Sequence, residues 1–537
     1  MHPARHPDLA GPSMAQGHGD AHPSGSWPVG QGGAVVEQQH TPPGGGRTPG
    51  GVADLTPWPV DAGPDPRRWR IFAVSLVVGF MALLDVTIVN VAIPSIQAGL
   101  DTTTGTVQWV VSGYALTFGL VLVTGGRLGD AYGRRRLMLV GLALFVLTSA
   151  AVGLAPTAGL VILARLLQGA AAGLLTPQNS GLIQDLFSGA ERGRAFGIFG
   201  LVVSISAALG PVLGGAIISL VGEESGWRWI FLVNIPIGLA ALVAVARLVP
   251  HSVPRTRGEA RPRLDPVGSL LLGGGVLCLL YPLVSVEGGQ YLWLVLLGAA
   301  PPLFVAFVRW ERRVVRRGGA PLLDVTLLRR TPGFANGIAV GTLYFTGFTG
   351  LVLVLSIHLQ TELGLAPFTT GLLLTGFAAG SAVSAPLAGR VVSSVGRPLT
   401  VGALVTIITA IAVMTVLVPG REAGTLWMVL PPLLFLGGLG GGAVISPNFT
   451  LTLADVPTRM GGAAGGALQT GQRIGSAIGS ALGVTVYTLV LGAIGPAAGL
   501  RATFLTAATM LALALVAAVV ALRAERDERD ERAARGV

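Results

Sequence analysis

The stretch GGRLGDAYGRRRLMLVG, residues 125–141, sets one aspartate and three consecutive arginines between two long apolar runs. Charge this dense is compatible with the flanking runs only where the chain leaves an apolar medium and turns back. The stretch is therefore read as a short connection between two membrane spans, its arginines holding it on one side of the bilayer.

The rest of the chain agrees with a membrane setting. Of 537 residues, 51% are hydrophobic and 12% charged, and mean hydropathy is +0.69. A soluble chain carries about a quarter charged residues. A span needs about 20 apolar residues, and fourteen segments qualify, near 71–95, 107–127, 137–155, 158–177, 195–219, 229–249, 267–286, 291–308, 334–357, 367–389, 399–418, 426–446, 463–491 and 502–522. The net charge of +10 comes without any lysine. With the N-terminus placed inside, 31 of the 36 arginines fall in inner segments, while only Arg228, Arg421 and Arg501 fall in outer loops and Arg165 and Arg473 lie within spans. Basic residues are retained on the cytoplasmic side, so both termini are expected there, and the basic charge needs no nucleic-acid partner.

Residues 1–66, rich in Gly, Pro and His, read as a disordered cytoplasmic tail. Five of the seven histidines fall in it, at no spacing that holds a metal. No charged-then-apolar leader precedes the first span, and Met14 is an alternative start. Cys278, the single cysteine, excludes an intrachain disulfide. The expected organisation is a six-helix bundle over 67–250, a linker with two extra spans over 251–330, a second six-helix bundle over 331–522 and a charged tail over 523–537. An internal repeat supports the pairing of bundles. GRLGDAYGRR from Gly126 recurs as GRVVSSVGRP from Gly389, an offset of 263 residues that also superposes the first six spans on the last six.

These residues carry a resemblance. Gly126, Leu128, Asp130, Gly133, Arg134 and Arg135 match the signature of the major facilitator superfamily's loop between helices 2 and 3, although Ala131 stands where a basic residue is common. LLDVTIVNVAIP in the first span, RLLQG in the fourth, GPVLGG in the fifth and WRWIFLVNIPIG entering the sixth follow in order. With fourteen spans, the chain resembles that superfamily's drug:proton antiporter branch. The resemblance implies an all-α membrane protein of the major facilitator fold with two inserted helices. It also implies a bacterial cell-membrane exporter of hydrophobic drugs or antibiotics, driven by the proton gradient and without a cofactor. A symporter for a small solute and a non-transporting sensor are the alternatives. An enzyme is not expected, since no metal cluster, nucleophile elbow or phosphate loop is present.

Ionisable groups inside a membrane are functional hypotheses by default. Asp85, about fifteen residues into the first span, either binds and releases the coupling proton or is a structural aspartate bonded to a neighbouring helix; the resemblance favours coupling. Arg165 in the fourth span is its expected partner, with Gln168 and Gly169 completing the family's pattern; the alternative is an arginine reaching for the interface. In the fifth span, Gly210, Pro211, Gly214 and Gly215 form the family's antiporter motif, with Ser206 and Val202 replacing two of its glycines. Small residues four apart let helices approach closely, in exchange-related sealing or in ordinary packing. In the opening stretch, Gly126, Asp130, Gly133, Arg134 and Arg135 are expected to form a conformational latch. Asp130 would meet the positive end of a helix dipole and Arg134 a carboxylate such as Asp185; the competing reading leaves the arginines to topology alone. Tyr114, Phe118, Gln168, Gln178, Asn179, Tyr344, Phe348, Asn448 and Gln469 are candidates for a substrate cavity, each also open to simple packing. The last six spans offer no deep carboxylate, so neutral, zwitterionic or monocationic compounds fit better than dications. Arg473 meets an anionic group or lies near the cytoplasmic end.

Overall fold

The computed structural model describes residues 65–222, 224–250, 265–287, 291–325 and 331–534. The N-terminal tail through residue 64, with the histidines expected to be solvated there, lies outside them. Among the described residues the fold is helical throughout, and fourteen segments are long and apolar enough to cross a membrane.

The first set comprises α1 (Arg68–Gly99), α2 (Thr104–Tyr132), α3 (Arg134–Leu154), α4 (Ala158–Leu186), α5 (Gly189–Val221) and a broken sixth span, α6 (Gly226–Leu232) and α7 (Asn234–Leu248). Pro236 lies just beyond the break; a proline there has no N–H to donate and clashes with the carbonyl four residues back, at Leu232. The inserted pair is α8 (Pro266–Glu287) and α9 (Ala300–Arg316), the latter entered through a 3-10 turn, Tyr291–Gly298. Pro301 and Pro302 start α9 and disfavour helix in the residues before them, so the eighth span is not one continuous α-helix. The last set is α10 (Pro332–Thr361), α11 (Pro367–Val395), α12 (Arg397–Leu417), α13 (Ala423–Thr452), α14 (Gly461–Ala493) and α15 (Pro496–Ala534).

Within the first set α4 packs on α1, α2 and α3, and α5 on α1; in the last set α10 packs on α14 and α15, and α13 on α11 and α12. The two sets meet where α5 lies along α11 and α2 along α14. α8 rests on both α2 and α14, so the inserted pair covers that seam, with Val276 and Leu280 buried beside Leu116.

The opening stretch is the connection between α2 and α3, and it is one residue long. Gly133 makes it with φ +96°, a backbone that side-chain-bearing residues avoid. Its repeat partner Gly396, with φ +71°, makes the same one-residue turn between α11 and α12. The arginine-rich end of the molecule is also where the sets share a core. Phe196 of α5 stacks on Phe449 of α13 with ring centres 5.6 Å apart, and Ile183, Phe334, Leu453 and Leu468 join the same cluster. The remaining large clusters stay within one set.

Candidate functional site

Asp85 lies midway along α1, 1% exposed, and is held on every side. Its Oδ2 is 2.5 Å from Arg165 Nη1, and its Oδ1 accepts from Gln168 Nε2 at 3.2 Å and Asn234 Nδ2 at 3.0 Å. Arg165 also donates to Gln168 Oε1 at 2.9 Å and, through Nε, to the Val110 carbonyl at 2.9 Å. Its guanidinium lies over the Tyr114 ring, 4.1 Å from the centroid, and the Tyr114 hydroxyl donates to the Ala82 carbonyl. Gln168 passes the network on to Ser149 Oγ at 2.7 Å. Side chains of α4 and α7 thus converge on one carboxylate of α1, and α2 and α3 join through Arg165 and Gln168. A buried ion pair is tolerated when its remaining donors and acceptors are satisfied, and here nearly all are. Arg165 therefore points into the bundle, and the interface-seeking alternative does not describe it.

Asn234 and Ser149 were not legible as site residues. Asn234 opens α7 directly after the break in the sixth span, and the signal was present in VNIPIG, where a polar residue precedes a helix-breaking proline. Asn234→Leu should lower unfolding stability by about 1–3 kcal/mol, since it removes a buried donor from a charged acceptor. Thermal unfolding of the purified chain against an Ile237→Leu control checks this, and an unchanged midpoint would remove Asn234 from the network.

At the arginine-rich end, Asp130 accepts from the first backbone amides of α14, Gly462 N at 2.9 Å and Ala463 N at 2.8 Å. That is a carboxylate on a helix N-terminus, where the dipole is positive. Arg134 bridges Asp130 at 2.8 Å and Asp185 at 2.5 Å, and donates to the Thr458 carbonyl at 3.2 Å. Gln184 reaches the Leu453 carbonyl and Arg192 that of Ala454, each at 3.3 Å. The two ion pairs lie within the first set, and the bonds to backbone groups from Asp130, Arg134, Gln184 and Arg192 cross from it to residues 453–463. Gly126 makes the approach possible: a Cβ there would overlap the Gly462 carbonyl. Gly389, its repeat partner, does the same for α11, where a Cβ would lie 2.5 Å from the Gly193 carbonyl of α5. Two proposed latch residues have other contacts. Gly133 forms the turn, and Arg135 donates to the Ala246 carbonyl near the end of α7, a bond within the first set.

The glycines of α5 face α1. Thr87 donates to the Ser206 carbonyl at 3.0 Å, a Cβ on Gly210 would overlap the Thr87 hydroxyl, and one on Gly214 would come within 2.9 Å of the Ile88 carbonyl. Gly215 lies looser, 4.0 Å from Val91 by the same measure. The structure describes the helical backbone of Pro211 but not its ring.

The cavity candidates separate into three groups, which corrects their reading as one lining. Tyr114 and Gln168 belong to the Asp85 network. Gln178 spends its amide on the Gly125 and Leu174 carbonyls, and Asn448 on the Gly337 carbonyl and Thr452, so both hold helices together. Phe348 stacks on Tyr344 and lies 4.5 Å from Phe377. Asn179, Gln469, Tyr344 and, through its Oε1, Gln178 carry buried polar atoms with no hydrogen-bond partner, and Phe118 lies beneath the guanidinium of Arg473, 4.8 Å away. Sequence shows that a side chain is an amide; it does not show whether that amide is already engaged.

The family model described as Major Facilitator Superfamily matches residues 75–480. The chain is 37% identical to a probable actinorhodin transporter of Streptomyces coelicolor over 80% of its own length and 75% of that protein's. It is 37% identical to the puromycin resistance protein pur8 of Streptomyces alboniger, over 78% and 82%, and 32% identical to a tetracenomycin C resistance and export protein of Streptomyces glaucescens, over 81% and 77%. Among solved structures, the human organic anion transporter MFSD10 (TETRAN) superposes with a TM-score of 0.62 at 18% identity, covering 84% of this chain and all of that one, which speaks to the fold. A multi-pass chain of fourteen apolar helices, a family-model match over most of its length and relatives of this kind lead to one conclusion: the protein belongs to the Major Facilitator Superfamily, among its drug-efflux transporters.

Proposed function

We propose that the protein exports amphipathic, ring-containing antibiotics from the cytoplasm in exchange for protons, by alternating access of two bundles over residues 67–250 and 331–522. The names of its relatives supply the substrate class. The observation that carries the exchange is Asp85, a carboxylate at mid-membrane depth whose three partners come from two other helical segments, α4 and α7. A proton arriving there neutralises the carboxylate and leaves Arg165 without its counter-charge. Rearranging the helices that carry these groups then becomes favourable. Inward proton movement supplies about 2.3 kcal/mol per charge per 100 mV, so the protein itself needs no cofactor and no catalytic chemistry.

The arginine distribution supports a cytoplasmic position for both termini and for the latch. On that orientation the bundles are closed at the cytoplasmic end, and contacts on Asp130, Arg134, Gln184 and Arg192 would break when the site opens inward. Nucleic acid has no part in this reading; the lipid bilayer, the drug and protons are the partners.

Everted vesicles carrying the full chain test it. After respiration acidifies the lumen, adding actinorhodin or tetracenomycin C should release protons from it. Drug accumulation with no proton release for either compound would overturn the exchange.

A further inference from the structure

Among the described residues, the other charged groups set deep in the spans have polar answers. Asp85 has Arg165, Asp130 has Arg134 and two backbone amides, and Glu311 lies near Asp265, accepting from the Leu322 amide. Arg473 does not. It lies twelve residues into α14, about 18 Å along a helix at 1.5 Å per residue, with no carboxylate within 4 Å among the described residues. It is only partly buried, and its neighbour is an aromatic face, Phe118 of α2. A charged side chain at that depth costs several kcal/mol unless something pairs with it.

A second donor waits beside it. Gln469 is one helical turn earlier on α14, 6% exposed, and its Nε2 has no hydrogen-bond partner. Residues four apart lie on one face of a helix, so an amide N–H and a guanidinium point to the same side. Both groups donate. What they lack in common is an acceptor, and a negatively charged one fits the arginine. Phe118 adds a flat apolar surface, and Tyr114 continues it with ring centres 5.9 Å apart. Since Phe118 belongs to the first bundle and Arg473 to the second, the pair sits where alternating access must open and close.

We infer that Arg473 and Gln469 hold an anionic group of the exported compound, a carboxylate or acidic phenol attached to a ring system that lies against Phe118. The inference rests on the efflux reading and narrows its substrate class from ring-containing compounds in general to those bearing an acidic group. Arg165 cannot take this role, because its guanidinium is sealed against Asp85. An anion at Arg473 supplies the counter-charge that the fold itself leaves out, and a cation is repelled there.

Energised everted vesicles carrying the full chain distinguish the outcomes, with pyrenebutyrate as the acid and pyrenemethylamine as the cation on the same ring system. Expected is accumulation of the acid that falls about tenfold or more in Arg473→Gln, the loss that follows removal of one charge-assisted contact. Amine accumulation should stay within about twofold or rise, and Arg473→Lys should keep a substantial part of acid transport, since it restores the charge. Wild-type transport of the amine but not the acid overturns the inference. So does an equal loss of both probes in Arg473→Gln, which marks a packing role, or full acid transport in that variant. Asp85→Asn reports separately on exchange. If it leaves both probes transported while Arg473→Gln loses the acid alone, proton coupling at Asp85 fails and the anion site stands.

Discussion

Asp85→Asn should reduce drug-dependent proton release to background while leaving a protein that folds and inserts. The substitution keeps the size and planar shape of the side chain, and its remaining oxygen can still accept from Gln168 or Asn234. What it removes is the negative charge 2.5 Å from Arg165 and the site that binds a proton. Breaking one side of a buried pair costs about 3–5 kcal/mol because the other charge is left uncompensated. The variant should therefore unfold at lower temperature than the wild type. Adding Arg165→Gln on top should recover part of that loss, since it removes the stranded charge, yet it should restore no coupling. The comparison separates two roles for one residue: a purely structural aspartate would lose stability and keep exchange in whatever fraction folds. Coupled efflux by Asp85→Asn at the wild-type rate per folded molecule would end the assignment.

How much of this was legible in the sequence depends on what kind of group makes each contact. The span count and the repeat at 263 residues follow from hydropathy and spacing, which the chain states locally, whereas the connection expected between 127 and 137 shrinks to the single residue Gly133 because both helices continue through the charged stretch. The pairs Asp85–Arg165 and Arg134–Asp185 were expected because two opposite charges in an apolar chain have few other partners. The receiver of Asp130 was not legible in detail. It consists of the backbone amides of Gly462 and Ala463, more than 330 residues away, and every non-proline residue carries such an amide. The segment 453–463, which also accepts from Arg134, Gln184 and Arg192, does so through carbonyls. Side-chain identity says nothing about either. The break that brings Asn234 to Asp85 was hidden for another reason: a hydropathy window averages across a proline, and the sixth span is apolar throughout.

Asp130→Asn should weaken the closed end by about 2–3 kcal/mol, the worth of a hydrogen-bonded charge, whereas Ser393→Ala at the repeat position should change little. The geometry of the two halves explains the difference. Gly126 and Gly389 both remove a side chain where two helices from opposite bundles nearly touch, so the close approach is kept on both sides. Only the first copy has added an acid that binds across the gap. Its carboxylate accepts two amides at the N-terminus of α14 and is bridged to Asp185 through Arg134, while Ser393 is exposed at the end of α11. An asparagine there has a single acceptor oxygen, and turns an NH2 group toward amides that also donate. Arg134 then keeps Asp185 alone, 40% exposed and screened by water. Since about 1.4 kcal/mol is a tenfold change in an equilibrium, the closed fraction relative to the open should fall by about 30- to 140-fold. Spin labels at Tyr132 and Asp455, both exposed, with Cys278→Ser as background, report it as a new, longer distance population. Equal broadening from Ser393→Ala would show that the two ends close by packing alone, and an unchanged distribution in Asp130→Asn would show that the aspartate does not hold the closed state.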